Sequence, residues 1–301
     1  MNFTSKRNRI AKIQTLHHPV SFKSFVFSRI FLLWAFLGIV GGITAGLYWI
    51  VLEFLTHKIA FFTGLWVIPT MALCGLLAGL VIYFIGDPGE MHLMVNNIRF
   101  NKGKLDPKNN PSMILSSLLC VSAGGSLGPE APLVQVTGST GTWLGNLLRL
   151  KGESLRSLTI AGMASGFTAL FGAPLGGSLF ALEILHHKHA VEYYQAIIPA
   201  LVASSFSYVV FAVIINMGIG PTWNLPTYEL VDKFDFMYAV VFGMCATFVG
   251  WIFIYNTKLF QKIFKLIEVP IYIKMCVGGI ILGVIVYYFP VTRYFGHEQI
   301  N

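Results

Sequence analysis

The sequence predicts an all-α polytopic membrane protein whose central helices are broken or re-entrant, and three observations carry that expectation. Of its 301 residues, 55% are hydrophobic and 11% charged, against roughly 25% charged in a soluble domain. Mean hydropathy is +0.69. Uncharged runs alternate with basic loops, as spans alternate with cytoplasmic loops. Finally, the middle of the chain is chopped into apolar pieces too short for ordinary spans.

Taken in order, residues 1–29 carry Lys6, Arg7, Arg9, Lys12, Lys23 and Arg29 and no acid. Lysine and arginine flank the cytoplasmic ends of spans, so the N-terminus is predicted to be cytoplasmic in a cell membrane. The uncharged run from Ile30 to Leu52 exceeds the apolar core of a cleaved signal peptide, about 7–15 residues. A second run, Ile59 to Gly86, returns the chain to Arg99, Lys102, Lys104 and Lys108 on the basic side. Between Asn109 and Leu185 the apolar pieces fall near 111–127, 132–148, 157–170 and 174–185. At 1.5 Å per residue, pieces of this length cross ~30 Å of hydrocarbon only with strain, if at all. Irregular helix ends at depth must then be packed in protein or line a wet cavity. A full span follows from Tyr193 to Met217, and an acidic loop holds Glu229, Asp232 and Asp235. The next span runs from Phe236 to Tyr255, then come Lys258, Lys262, Lys265 and Lys274, and a last apolar stretch covers Met275 to Tyr288. Gly38, Gly42 and Gly46, the pair Gly75 and Gly79, and the pair Gly279 and Gly283 recur every fourth residue, which predicts close helix packing.

Several functions fall away on composition. The net charge of +8 sits in loops between spans, so membrane lipid is the expected partner and nucleic acid is not. Cys74, Cys120, Cys245 and Cys276 lie in apolar segments and read as small buried thiols. His186, His187 and His189 adjoin Lys188 in a basic loop and read as solvated polar sequence, so no metal and no cofactor is predicted. An intramembrane hydrolase would need a serine such as Ser165 to meet a histidine from another span, whereas the histidines cluster near presumed membrane edges.

Glu130 is the sharpest feature. It stands in Gly124-Gly125-Ser126-Leu127-Gly128-Pro129-Glu130-Ala131-Pro132, with long uncharged sequence on both sides. An acid at the bilayer centre costs about 2.5–3.5 kcal/mol on insertion scales and defaults to a functional hypothesis. Glycines free the backbone before it, and Pro132 suits the first turn of a helix beginning there. Gly128, Pro129, Glu130 and Ala131 would then form an anion site at a positive helix end, occupied by the chain's own carboxylate. Simple N-capping by the acid is the alternative.

Gly128-Pro129-Glu130-Ala131-Pro132 resembles the Gly-(Lys/Arg)-Glu-Gly-Pro motif of the ClC family of chloride channels and chloride–proton antiporters. A second block agrees: Ala164-Ser165-Gly166-Phe167 through Phe171-Gly172-Ala173-Pro174-Leu175-Gly176-Gly177 to Phe180-Ala181-Leu182-Glu183 is similar to that family's seventh and eighth helices. The resemblance implies a ClC-like helical bundle with broken helices meeting near the midplane, a homodimer, and chloride as the transported ion. It implies that Glu130 is the external gate. Three positions depart from the family. Where a serine coordinates the inner anion, Gly86-Asp87-Pro88-Gly89-Glu90 stands instead, so Asp87 and Gly89 mark an inner site whose acids would repel an anion. The inner proton-transfer glutamate falls on Ile184, leaving Glu183, one residue earlier, for a relay role or for a helix-end acid. The second inverted repeat is incomplete, which predicts either a truncated chain or one that needs a separate second-half chain. The implied organisation is a basic N-terminus over 1–29, a first repeat over 30–217 and the start of a second over 218–301.

Overall fold

The computed structural model describes residues 29–89, 91–100, 103–184, 190–216 and 234–294. The histidine tract, Glu90 and the acidic loop except Asp235 lie outside the described residues. Among the described residues there are ten α-helices and no strand: α1 (Arg29–Ala60), α2 (Val67–Ile85), α3 (Met91–Phe100), α4 (Asn110–Ser122), α5 (Glu130–Leu147), α6 (Glu153–Phe171), α7 (Pro174–Ile184), α8 (Ala190–Ile214), α9 (Phe234–Leu266) and α10 (Ile271–Tyr288). Five segments are long and apolar enough to cross a membrane: α1, Gly64–Ile85, Ala196–Ile214, α9 and α10. The first four match the predicted spans, and α10 extends the last apolar stretch, Met275 to Tyr288, back through Lys274 to Ile271. The four central pieces are the helices α4 to α7, none of which is such a segment.

Some boundaries differ from expectation, each for a local reason. α1 runs on past Glu53 to Ala60, because charges in the last turns of a helix can reach the membrane surface without ending it. α4 stops at Ser122 rather than near residue 127, because the glycine pair that follows turns the chain.

α6 lies at the centre, with an unbroken buried run from Leu158 to Ala169. α5, α7, α8 and α1 pack around it, while α2 packs on α10 and α4. The glycine spacing sets the register. Added Cβ atoms on Gly38, Gly42 and Gly46 of α1 would strike Ala203, Ser207 and Ile214 of α8, so these two helices run parallel with backbones in close approach. Those on Gly75 and Gly79 of α2 would meet Met275 and Tyr272 of α10, and those on Gly279 and Gly283 of α10 would meet Met71 and Ile68 of α2. That pairing is antiparallel and reciprocal. Close backbone contact is how helices gain dispersion energy where lipid removes the hydrophobic drive.

α9 differs from the rest, having no buried residue over its 33-residue length. Cys245 is therefore exposed, against the expectation of a buried thiol, whereas Cys74 is buried as expected. This contrast makes packing testable. Gly279→Leu should destabilise the detergent-solubilised chain by about 1–3 kcal/mol through overpacking. Gly243→Leu on α9, where an added side chain meets open space, should leave the thermal unfolding midpoint unchanged.

Candidate functional site

The site is built on the turn between α4 and α5. The N–H of Gly124 donates to Val121 O at 3.0 Å and that of Gly125 to Cys120 O at 3.0 Å, the paired bonds of a Schellman cap. Gly124 has φ +107°, which a side chain would strain. The chain then passes through Ser126 and Leu127, both exposed, to Pro129, the N-cap residue of α5. Glu130 is the first helical residue, so its carboxylate belongs to the turn where the helix dipole is positive.

Glu130 does not cap that helix. No side-chain cap bond forms at its N-terminus, and among the described residues no hydrogen bond or ion pair holds the carboxylate. It folds back over Gly128 instead, where a Cβ on Gly128 would overlap it. Of the predicted anion-site residues, Pro129 is buried while Gly128, Glu130 and Ala131 are half-buried, so the carboxylate sits at the edge of the packed interior. Pro132 brings no N–H to the first turn, and Leu133 N already bonds to Pro129 O at 3.4 Å.

Below Glu130, α5 is held in place by buried polar side chains. Gln135, 5% exposed, donates to Asp106 O at 2.9 Å and to Asn110 Oδ1 at 3.3 Å, and Asn110 Nδ2 donates to Ser139 Oγ at 2.8 Å. Leu105 N donates to Thr142 Oγ1 at 3.0 Å, and the Thr142 and Thr159 hydroxyls are bonded at 2.9 Å. These bonds fix the axial position of α5, and with it the height of Glu130 in the bundle.

Tyr48 of α1, 6% exposed, has its hydroxyl bonded to Ser117 Oγ of α4 at 2.9 Å and lies within electrostatic reach of Glu130. Sequence reasoning missed it. The available signal was a tyrosine in mid-span, since a buried phenol needs a hydrogen-bond partner.

The other predicted residues are not drawn to Glu130. Asp87 is exposed and its Oδ1 accepts from Gly89 N at 2.9 Å, closing its own turn, and Gly86 O accepts from Ser112 Oγ of α4. Glu183 is exposed near the end of α7 with no bonding partner among the described residues. Ser165 Oγ donates to Gly162 O of its own helix at 2.6 Å.

Four helices too short or too polar to count as spans, set among five apolar spans and bearing an unbonded carboxylate at a helix start, define a polytopic membrane-protein class. The sequence profile of the voltage gated chloride channel family matches residues 89–301, and the chain belongs to that family. It is 27% identical over 256 residues to an uncharacterised protein of Methanocaldococcus jannaschii, covering 84% of this chain and 61% of the relative. It is 26% identical over 246 residues to a chloride/fluoride channel protein of Pseudomonas syringae pv. tomato, covering 77% and 52%. Among solved structures, a CLC-type fluoride/proton antiporter superposes with TM-score 0.75 at 22% identity, over 90% of this chain and 67% of the other. A slow cyanobacterial Cl-/H+ antiporter gives TM-score 0.71 at 18% identity, over 90% and 66%. The chain thus spans between half and two-thirds of the length of the two curated relatives.

Removing the Tyr48 hydroxyl tests the packing of this site. Tyr48→Phe should cost about 1 kcal/mol of stability in denaturant titrations. The loss stays small because Ser117 Oγ retains its bond to Ile114 O.

Proposed function

We propose that the chain forms part of an anion pathway across the cell membrane, that chloride is the transported ion, and that Glu130 is the gate. The observation that supports this reading best is the free carboxylate of Glu130 at the positive end of an 18-residue helix. A chloride ion and the carboxylate compete for the same partial positive charge, which comes from backbone dipoles and not from a fixed cation that would trap the ion. The family, and the kinship to a chloride/fluoride channel protein of Pseudomonas, favour a small inorganic anion as cargo. Arg29 and Lys274 stand at the starts of α1 and α10, whose far ends meet where Arg293 bonds to Ile59 O, so both basic residues lie at the same end of the bundle, which supports a cytoplasmic N-terminus. Ile184, together with the exposure of Glu183, favours uncoupled conduction over proton exchange.

The sign of the pH dependence follows from the competition. Ionised Glu130 occupies the site and excludes the anion, whereas protonation withdraws the charge and admits it. Chloride efflux from liposomes should rise as pH falls on the side facing Glu130. Glu130→Ala should carry chloride at a rate that pH hardly changes, and a Glu130→Ala chain with the wild-type pH profile would refute the gate. Fluoride efflux run in parallel separates the two candidate cargoes.

A second reading is favoured by α9, a 33-residue apolar helix without a buried residue in a chain that spans 52–61% of those relatives. In that reading the chain conducts only when further helices, from the same or another chain, pack against it. Liposomes holding this chain alone would then show no efflux. Co-expression with the C-terminal helices of the Pseudomonas relative should restore it.

A further inference from the structure

We infer that Arg293 is a positioning residue for Glu130, acting through the Gly124–Ser126 turn; the inference rests on the reading of Glu130 as the gate and adds a residue that reading does not contain. The 3-10 turn Pro290–Thr292 follows α10 and delivers Arg293 to the end of the bundle where α1 finishes. There the guanidinium spans two carbonyls at the C-terminal end of α1, Nη1 to Phe62 O and Nη2 to Ile59 O, both at 3.3 Å. A cation at the negative end of a long helix is held by the dipole as well as by the bonds. The side-chain stem and Nε pass directly over Gly124, where a Cβ would collide with them.

Tyr294 completes the clamp. Its N–H donates to Gly124 O at 3.1 Å, and its carbonyl accepts from Ser126 Oγ at 3.1 Å. The residue is held at φ 67°, in the left-handed region, with the Arg293 guanidinium 4.9 Å from its ring centroid. Among the described residues, these two hydrogen bonds are the ones that tie the turn to a distant part of the chain; its other bonds, at Gly124, Gly125 and Leu127, are local. Three residues, Leu127, Gly128 and Pro129, separate Ser126 from Glu130. The orientation of that short connection sets where the carboxylate stands relative to the start of α5.

Arg293 could instead act by charge alone, because no carboxylate pairs with it among the described residues. The two mechanisms separate on a double substitution. A positioning residue acts only while Glu130 is present, whereas a bare attracting charge speeds anions with or without the gate. Replacement by lysine keeps the charge and gives up the planar two-carbonyl span.

The experiment uses the whole chain, alone and co-expressed with the C-terminal helices of the Pseudomonas relative. The first readout is hydrogen exchange by mass spectrometry over residues 123–131 in detergent. The second is the pH profile of chloride efflux. Arg293→Gln, Arg293→Lys and Ser126→Ala should each speed exchange in that segment, Arg293→Gln about tenfold. Arg293→Gln and Arg293→Lys should also move the efflux midpoint by about half a pH unit or more. In the Glu130→Ala background the same changes should leave efflux unaltered. Exchange unchanged by all three substitutions would overturn the inference, and so would an Arg293→Gln loss of efflux that persists undiminished in Glu130→Ala. Should Arg293→Gln fail to fold, Ser126→Ala decides by the same two readouts, since it removes one exposed hydroxyl and nothing from the core. If wild-type efflux ignores Glu130→Ala, the gate reading fails and with it the claim that Arg293 acts on a gate. The exchange data still report whether Arg293 holds the turn.

Discussion

Hydrocarbon offers no partner to an unpaired backbone group, and the arrangement of this chain follows from that one constraint. α4 and α7 have 13 and 11 residues, enough for about 20 and 17 Å at 1.5 Å per residue and too little for ~30 Å of bilayer core. Such helices persist only where protein covers their ends. The C-terminal carbonyls of α4 are closed by the Gly124–Gly125 cap, while Ser112 in its first turn covers the carbonyl of Gly86. Longer helices enclose these short ones. The wall they make is tight because α1 meets α8, and α2 meets α10, on glycine faces.

A helix that begins at the edge of the packed interior brings its positive end there with it. In α5 that end is occupied by residues with little to satisfy it internally: Pro129 as N-cap with no side-chain bond, Pro132 without an N–H, and Glu130 turned back over Gly128. The polar side chains that are fully engaged lie further along α5, at Gln135, Ser139 and Thr142. One helix therefore has two regimes, a bonded body that fixes its position and an unbonded tip. The proposed gate needs that division, because its tip must exchange partners while the body stays still.

Much of this organisation is legible in the sequence because it is local. Four of the five spans contain long contiguous uncharged runs, and the chopped middle announces itself by its length alone. Glu130 stands out since a single charge in the 40 residues from Asn109 to Leu148 has no surface explanation. Hydropathy does not register backbone sign, which is why α4 reads as ending near residue 127 and ends at Ser122 before the positive φ of Gly124. Tyr48 and Ser117 are 69 residues apart, and Arg293 reaches Ile59 across 234. No periodicity encodes contacts of that range. Glu183 is a different case: its residue type suits a relay, but the face of α7 on which it falls leaves it exposed.

The absence of a cation beside Glu130 among the described residues is part of the same logic. A carboxylate gripped by a bidentate arginine would have to break two charge-assisted bonds to leave, each stronger than a neutral hydrogen bond, and the arginine would then hold the incoming anion in its place. Arg293 spends both terminal nitrogens on carbonyls at and just beyond the end of α1 and stands over Gly124 rather than over the acid. In the proposed gate its hydrogen bonds stiffen the frame of the turn, and the dipole of α5 is left as the weak, shared attraction for which the carboxylate and an anion would compete. A gate with a weak hold on its seat can yield to a small ion, and an ion with the same weak hold can leave.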